Sequence, residues 1–359
     1  MNILLFCFLA FVLYCAHFPM LSHGLRALRC KRQFSVSTGY VGQEVHLVET
    51  VGNYGSFIIP WLRLESRVSP HLRLGNQSNL VISHDAYFTS LFTLMPHQQI
   101  RRTHRVTLLR RGIYDVGSAA LTVGDALGIF RYTRNQNLSA RIMVYPELVD
   151  ENELPPLITQ QLGELSRHKQ LIADPFLIRG IRDYVPGDPV RDIHWPATAK
   201  MGKPQLRLHD DAARTQLLVV LNVQTQTIQW QDRPGEQTEE ILEHAISLAA
   251  TACVRSLERG LAAGFAANAG LDDSKDTTVI MPMEGIAHTE ELLSVFARLS
   301  TERRQYFSRF LDSLKGCTDL DILALSFYDD EDIQAALDGL KRQGNRVTFH
   351  LLEGGGPSA

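Results

Sequence analysis

A continuous apolar run, QLLVVLNV at residues 216–223, constrains the fold of this chain more than any other feature. An uninterrupted run of this length is typical of a strand buried on both faces, as in a parallel sheet covered by helices. In residues 236–260, which follow it, apolar side chains recur at helical spacing, and Gly260 stands where a helix would end. The sequence therefore predicts a buried strand followed by a long, packed helix.

The same alternation continues towards the end of the chain. Further strands are predicted at 261–269, 276–284, 319–328 and 346–353, and further helices at 288–300 and 329–344. Strands that alternate with helices of this length predict a doubly wound α/β domain with a mostly parallel sheet, over residues 204–353. The last residues, GGGPSA at 354–359, predict a disordered tail.

The first third of the chain lacks this helical period. Segments rich in β-branched and aromatic residues, separated by Gly and Asn, predict strands at 44–51, 61–66, 103–109 and 140–146. Their spacing favours an antiparallel β-sandwich over residues 33–150. A chain of 359 residues is expected to hold more than one core. Residues 151–203, which open with a helix after Pro155-Pro156, are predicted to form a linker helix and a further segment.

The N-terminus predicts attachment to a membrane. Residues 3–21, ILLFCFLAFVLYCAHFPML, are apolar apart from His17, and as a helix they are about long enough to cross a ~30 Å hydrocarbon layer. A signal peptide is the alternative, but no Lys or Arg precedes the run. A first membrane helix before the given start is a further alternative.

Basic residues follow the apolar run instead, at Arg26, Arg29, Lys31 and Arg32. The positive-inside rule then places the downstream chain in the cytoplasm. Residues 1–32 are therefore predicted to be an anchor with a basic juxtamembrane segment, the lipid bilayer being a partner of residues 3–21. The predicted location is the cell membrane, with a single pass and a cytoplasmic globular part.

Composition argues against several classes of function. The formal net charge of −3 and the absence of a Lys/Arg block give no reason to expect nucleic-acid binding. The five cysteines are widely spaced and form no C-x-x-C pair, and no H-E-x-x-H occurs. Neither a disulfide framework nor a simple zinc site is supported, and reduced thiols are expected.

Residues 182–195, RDYVPGDPVRDIHW, are the densest polar segment of the chain. Pro186-Gly187 suits a type II turn, and Asp188 before Pro189 is a helix-start signal. We expect a short helix from Asp188 that exposes Arg191, Asp192 and His194 and packs Ile193 and Trp195 inward. Pro196 either ends this helix or restarts it, Gly202 stops it, and residues 204–210 predict an edge strand.

This segment allows two interpretations. In one, His194 is the general base of a hydrolase and Asp188 or Asp192 orients it. In the other, Arg182, Arg191 and the three Asp form an ion network that braces an irregular segment. No nucleophile elbow, phosphate loop or metal triad accompanies it, so the sequence favours the brace. A braced loop with exposed charge is also suited to docking another protein.

The segment resembles the signature of the domain of unknown function 58 family, a family of membrane-anchored bacterial and archaeal proteins. The matching residues are Arg182, Tyr184, Pro186, Gly187, Asp188, Arg191, Ile193, Trp195, Ala199 and Lys200. The segments RRGIYDVG (110–117) and GDALGIF (124–130) also resemble segments of that family. Pro196 departs from the pattern, which usually has a basic residue after the Trp.

The resemblance implies that the α/β domain is similar to a von Willebrand factor A domain, which holds a divalent cation through D-x-S-x-S after its first strand. The corresponding positions here are Asn222, Gln224 and Gln226. Without a carboxylate, affinity for a hard cation is expected to be very low, so we predict the fold without its metal. Asp329 and Asp330 are expected to cap a helix.

The resemblance also implies a function. Members of the family are associated with MoxR-type AAA+ ATPases and are thought to act with them on other protein complexes. The chain is therefore predicted to be a non-catalytic, membrane-anchored adaptor with no cofactor, and its partner supplies ATP hydrolysis. The alternatives are the hydrolase built on His194 and a metal-dependent adhesion module outside the cell.

Overall fold

The fold is described from a computed structural model, in which the chain divides into two compact units, residues 1–147 and 148–359. The structure describes residue 8 and residues 24–75, 80–82, 87–125, 131–172, 178–185, 193–209, 216–226, 235–272 and 274–352.

The first unit contains a β-sandwich. One sheet has four strands in the order β1-β3-β8-β5, with all three pairings antiparallel. These strands are β1 (Leu28–Phe34), β3 (Glu44–Asn53), β5 (Leu72–Leu74) and β8 (Gln99–Leu108). The other sheet has five strands in the order β11-β10-β4-β7-β6 and is also antiparallel. These strands are β4 (Ile59–Arg67), β6 (Leu80–Ile82), β7 (Tyr87–Leu94), β10 (Ser118–Gly124) and β11 (Arg131–Asn137).

A small third sheet completes this unit. Its strands are β2 (Thr38–Tyr40), β9 (Gly112–Asp115) and β12 (Arg141–Tyr145). The middle strand, β12, pairs in parallel with β2 and antiparallel with β9. A β-sandwich, as predicted over 33–150, is therefore observed. Its first strand, β1, begins at Leu28, within the segment predicted to follow the anchor.

Strand alternation produces the core of the sandwich. On β4, Leu62 and Leu64 are buried while Arg63 between them is exposed. They pack in one cluster with Val51 of β3 and Leu121 of β10, so the inner faces of the two sheets meet there. Burial of such side chains stabilises a fold by about 1.5–3 kcal/mol each.

A charged cluster lies inside this core, which the sequence analysis did not anticipate. The Glu49 carboxylate accepts from Arg32 Nε and Nη2 at 2.9 and 2.6 Å. It also contacts His104 Nε2 at 3.0 Å and accepts from Ser90 Oγ at 3.2 Å. Arg32 Nη2 donates to Ser66 Oγ at 2.8 Å, and all five side chains are buried. Because Ser66 and Ser90 belong to the five-stranded sheet, the cluster links both layers of the sandwich.

Glu49 stays ionised at this buried position. Burial opposes ionisation, but the hydrogen bond with His104 and the attraction of Arg32 outweigh it, so the pKa of Glu49 lies below its usual value. A carboxylate only accepts hydrogen bonds, so His104 Nε2 carries the hydrogen that lies between the two groups.

The second unit contains a five-stranded sheet in the order β18-β16-β15-β20-β21. Its strands are β15 (Gln216–Leu221), β16 (Ala262–Ala267), β18 (Thr278–Met283), β20 (Asp321–Ser326) and β21 (Arg346–Leu351). All pairings are parallel except that of β18 with β16. This is the mostly parallel sheet that the sequence predicts.

Helices cover both faces of this sheet. They are α1 (Pro156–Ile172), α3 (Glu236–Glu258), α4 (Ile286–Arg298), α5 (Phe307–Ser313) and α6 (Glu331–Arg342), while α2 (Trp195–Met201) belongs to a separate segment described below. Leu217 and Val219 of β15 pack in a cluster with α1, α3 and α4, whereas Leu218 and Val220 pack with α5 and α6. The apolar run is therefore buried on both faces, as predicted, because helices lie on each side of it.

The remaining strands form two short ribbons. In one, β13 (Ile178–Asp183) pairs with β14 (Gln205–His209), and in the other, β17 (Ala269–Leu271) pairs with β19 (Leu299–Arg303). A 3₁₀ turn at Glu151–Glu153 precedes α1.

The predicted linker at 151–203 differs from the observed division. Leu154, Ile158, Leu162 and Leu165 lie in the core of the α/β unit, and Val149 N donates to Thr251 Oγ1 at 2.9 Å. These contacts make residues 148–172 part of the second unit.

Within the part of the chain that the structure describes, no helix has the length and apolar character needed to cross a membrane. Of the predicted anchor at residues 3–21, all but Phe8 lie outside the described residues, and so does the predicted tail at 354–359.

The described cysteines Cys30, Cys253 and Cys317 carry free thiols. Burial raises the pKa of Cys30 to about 12, so this thiol is protonated at neutral pH.

The buried cluster predicts a large effect of removing one charge. Glu49→Gln should lower the free energy of unfolding of the first unit by about 3–5 kcal/mol, because Arg32 is left buried without its counter-charge. Hydrogen exchange of the β3 amides measures this unit by itself. The matched control is Glu65→Gln, which breaks the exposed pair with Arg63 and should change stability by less than about 1 kcal/mol. Equal effects of the two variants would contradict a structural role of the cluster.

The direction of the Glu49 pKa predicts a pH dependence. Since the folded pKa is depressed, the stabilisation by this carboxylate is complete above the ordinary value of about 4.5 and is lost as pH falls through the folded pKa. The stability difference between wild type and Glu49→Gln should therefore be constant from pH 5 upwards and shrink below about 4.5. A difference that grew on acidification would show that the folded pKa is raised.

Candidate functional site

The segment that resembles the signature of the domain of unknown function 58 family forms a small module. We call it the signature module and define it as residues 178–185 and 193–209. Its base is the ribbon of β13 and β14, in which Arg182 faces Leu206 and Asp183 faces Gln205. Ile193 forms a single bridge with Leu206, and both side chains are buried. Pro186, Gly187, Asp188 and Arg191 of the signature, together with Asp192, lie outside the described residues.

Backbone contacts hold the module together. Tyr184 N donates to Pro204 O at 2.9 Å, and His194 N donates to Gln205 O at 2.7 Å. Gln205 Nε2 donates to Asp183 Oδ1 at 2.5 Å, and Arg182 Nη1 donates to the Asp183 carbonyl at 3.2 Å. Of the residues in the predicted brace, the structure describes Arg182 and Asp183, which make the last two of these contacts.

Helix α2 begins at Trp195, with His194 as its N-cap. His194 Nδ1 accepts from Ala197 N at 3.0 Å, and Pro196 occupies the first turn, where a missing N–H costs nothing. Gly202 ends the helix at a φ of +69°, and Lys200 lies exposed in the last turn, where a cation complements the helix dipole. Pro196 therefore lies in the first turn of a helix and does not end one.

This helix start corrects one expectation. Ile193 is buried as predicted, but Trp195 is not packed inward, since 64% of it is exposed. The two residues do not share a helix, because Ile193 is extended and bridges to β14, whereas Trp195 opens α2.

The described geometry does not favour His194 as a general base. Its Nδ1 lone pair takes the Ala197 N–H, so a neutral ring carries its proton on Nε2 and has no second lone pair for a substrate proton. His194 serves here as a helix cap.

The module exposes large apolar side chains instead. Ile181, Val185, Trp195 and Met201 have 45%, 56%, 64% and 70% of their surface exposed. Exposed apolar groups on a well-ordered segment are typical of protein-binding sites, where Trp and Met are enriched. The module therefore presents apolar side chains, and not a group of catalytic residues, at its described surface.

The two other segments that resemble segments of that family, residues 110–117 and 124–130, belong to the first unit. Tyr114 Oη donates to the carbonyl oxygens of Arg110 and Arg111, at 2.9 and 3.1 Å, and so closes the turn before β9. Trp61 Nε1 donates to Asp125 O at 3.0 Å, and any Cβ on Gly124 would clash with the Trp61 ring. These residues position the chain locally, and residues 126–130 lie outside the described part.

The carboxyl ends of the parallel strands form a second polar site, which we call the amide cluster: Asn222, Gln224, Asn268 and Ser326. Asn222 Oδ1 accepts from Gln224 N at 2.9 Å and from Asn268 Nδ2 at 3.0 Å. Asn222 Nδ2 donates to Ser326 Oγ at 3.0 Å, and Asn268 Oδ1 accepts from Val223 N at 2.8 Å. All four side chains are buried, and their bonds join the ends of β15, β16 and β20.

This arrangement does not fit a divalent cation. The side-chain oxygens of Asn222 and Asn268 already accept protein N–H groups, and none of the four residues supplies the carboxylate that a hard cation prefers. Gln226 is exposed, and its carbonyl accepts from Gln224 Nε2 at 2.9 Å. In the described residues, no group of three or more His, Cys, Asp or Glu is placed to hold a metal ion.

Neighbouring groups are neutral or cap a helix. Burial raises the pKa of Tyr328 to about 12, against the opposing effect of its hydrogen bond with Asn222. Asp330 Oδ1 accepts from Ile333 N at 2.8 Å and caps α6, which confirms the predicted role for Asp330. The Asp329 carboxylate accepts from the side chain of Gln334 instead, at 2.8 and 2.9 Å.

Asn268 and Ser326 were not singled out in the sequence. Their positions offered a signal, because both come at the ends of predicted strands, where parallel sheets place their binding sites.

No protein-family model matches the chain, and no curated protein matches it either. Among solved structures, three small domains align with about a third of it. The CARDB domain of a Pyrococcus furiosus protein is 15% identical over 33% of this chain and 93% of its own, with a TM-score of 0.22. A non-cellulosomal cohesin from Archaeoglobus fulgidus is 7% identical over 35% of this chain and 94% of its own, with a TM-score of 0.23.

The third is the collagen-binding subdomain of the Enterococcus faecalis surface protein ACE. It is 9% identical over 33% of this chain and 96% of its own, with a TM-score of 0.23. Similarities at this level assign neither a fold family nor a function to the chain.

The amide cluster predicts a stability effect without a metal effect. Asn222→Ala should lower the free energy of unfolding by about 3 kcal/mol, because it leaves Gln224 N and Asn268 Nδ2 buried without their acceptor. Denaturation in the presence and absence of millimolar Mg²⁺ measures both quantities, with Gln226→Ala as the exposed control. If Mg²⁺ stabilised the wild type and this effect disappeared in Asn222→Ala, the conclusion that the amide cluster does not fit a cation would be wrong.

Proposed function

We propose that this chain is a membrane-anchored, non-catalytic adaptor similar to members of the domain of unknown function 58 family. In this proposal the signature module binds a protein partner, a MoxR-type AAA+ ATPase or the complex on which that ATPase acts. The observation that carries it is the exposure of Trp195 and Met201 on a module whose backbone is otherwise fixed by hydrogen bonds.

The physical argument concerns the energy of binding. Trp is enriched among the residues that dominate protein interfaces, where a single truncation often costs about 2 kcal/mol or more. Trp195 lies at the start of α2 and Met201 at its end, so one short helix presents both. Because the helix is capped at both ends, little ordering is needed when a partner binds.

The topology of the α/β unit supports the proposal that it is a von Willebrand factor A-like domain that lacks the cation. When the five strands of the sheet are numbered in chain order, their spatial order is 3-2-1-4-5. This is a doubly wound arrangement whose switch point lies between β15 and β20. At that point the amide cluster takes the place where such domains bind a cation. A protein partner would therefore be recognised by shape and apolar contact, not through a bridging metal.

Attachment to the cell membrane is part of the same proposal. Residues 3–21 would span the bilayer once, and the basic residues after them would keep the globular part in the cytoplasm. ATP hydrolysis would then come from the partner. The hydrolase gains no support, because His194 caps a helix through its Nδ1 atom. The adhesion module gains none either, because Asn222 Oδ1 accepts protein N–H groups at the position where a cation would bind.

The proposal predicts that exposed apolar side chains of α2 carry binding. The double variant Trp195→Ala/Met201→Ala should reduce recovery of a co-purified ATPase from solubilised membranes by tenfold or more, with unfolding unchanged within about 0.5 kcal/mol. Met283→Ala is the matched control, because Met283 lies in the same unit on β18 and is 59% exposed. Quantitative mass spectrometry after crosslinking in cells measures the recovery. Equal recovery with both variants would overturn the proposal.

A further inference from the structure

The outer face of the four-stranded sheet carries a dense set of positive charges. Strand alternation on β1, β5 and β8 directs these side chains away from the sandwich core, and all are exposed. We call this set the basic face: Arg29, Lys31, Arg73, Arg101 and Arg105.

The register brings these charges together. Lys31 of β1 and Arg101 of β8 both pair with Thr50 of the strand between them, so their backbones lie about 10 Å apart. Arg105 pairs with His46, and Arg73 pairs with Thr107 at the other edge of the sheet. The basic face therefore extends across all four strands.

Few negative charges offset it. Among the described outward positions of the four strands, Glu44 is the one carboxylate, and its Oε1 lies 3.8 Å from Arg105 Nε with half of its side chain exposed. The formal net charge of the whole chain is −3, so this surface has the opposite sign to the chain as a whole. Such separation of charge favours a polyanionic surface as the partner.

The chain itself indicates which polyanion. Arg29 follows the apolar run that ends at residue 21 by eight residues, which span less than about 30 Å even when fully extended. If residues 3–21 enter a bilayer, the first cations of the basic face are held close to its headgroups. Each Lys or Arg near an anionic membrane surface raises the affinity for that surface by about fivefold.

We infer that the basic face docks on anionic phospholipid headgroups and so fixes the orientation of the sandwich on the membrane. This inference rests on the proposed membrane attachment. The anchor would supply proximity, whereas the basic face would supply orientation and a preference for anionic lipid.

Arginine modification of the full chain tests this. The protein is reconstituted in nanodiscs of phosphatidylcholine, with or without about 30% phosphatidylserine, and treated with phenylglyoxal at 0.1 M salt. Mass spectrometry gives the modification rate of each arginine. On the anionic discs, Arg29, Arg101 and Arg105 should react at least about fivefold more slowly than on the neutral discs. High salt should abolish this protection because it shortens the screening length.

Arg63 and Arg67 are internal controls, since they are exposed on the outer face of the other sheet. They should react at the same rate on both discs. Equal rates for the two sets on anionic discs, or equal protection of Arg101 on neutral discs, would overturn the inference.

Variants give a second test. Lys31→Gln/Arg101→Gln/Arg105→Gln should remove the protection of the remaining Arg29 and Arg73. The matched control Arg63→Gln/Arg67→Gln/Arg131→Gln removes the same charge from the other sheet and should leave that protection intact. If the first variant fails to fold, the wild-type modification rates still decide the question.

Two further arms separate the sources of failure. Carbonate extraction from neutral discs tests the anchor, because a chain that spans the bilayer resists release. If the chain is released, the anchor fails, and arginine modification of the released chain with added anionic vesicles still tests the basic face. A short RNA duplex that protects Arg101 and Arg105 at a salt concentration where anionic discs do not would overturn the inference in favour of nucleic acid.

Discussion

The Glu49 carboxylate is the constraint on which the sandwich depends. A charge inside a core is tolerated only with partners, and Glu49 takes them from β1, β8 and β7, while Arg32 reaches β4. The two sheets can close only in the register that brings these groups together. The strands that turn Arg32 and His104 inward also turn Lys31 and Arg105 outward. The alternation of side chains along β1 and β8 therefore produces both the buried charged cluster and the basic face.

The second unit also buries polar groups that need hydrogen-bond partners, but these groups are neutral. Asn222 exchanges hydrogen bonds with Asn268 and Ser326, and so joins three neighbouring strands at the edge where a parallel sheet usually binds its ligand. The side-chain oxygens of Asn222 and Asn268 accept N–H groups of neighbouring residues there. The signature module of the same unit instead exposes large apolar side chains on a backbone that its own hydrogen bonds hold.

The α/β unit was the more predictable part. Its buried strand at 216–223 and its helices appear within a few residues of the expected bounds, because long apolar periods leave few alternatives. The basic stretch before Phe34 resembled a juxtamembrane segment, and only pairing with β3 reveals that Arg32 points into a core. Trp195 was misplaced because helix start signals occur at both Asp188-Pro189 and Pro196. Only the bridge of Ile193 to β14 shows that Ile193 and Trp195 do not share a helix, and residues 186–192 lie outside the described part of the chain. Helix α5 was missed, since seven residues are too few for a clear period.

The edge strand β18 has a property that follows from Gly264. Pairing with β16 shifts register there, and Pro282 N lies 2.6 Å from where a Cβ of Gly264 would be, so only glycine lets the extra residue of β18 pass. Bulges and prolines make an open sheet edge a poor template for an incoming strand. Val279, Met281 and Met283 are exposed along this edge. They remain available for side-chain contacts, while fibre-like extension of the sheet from one molecule to the next is disfavoured.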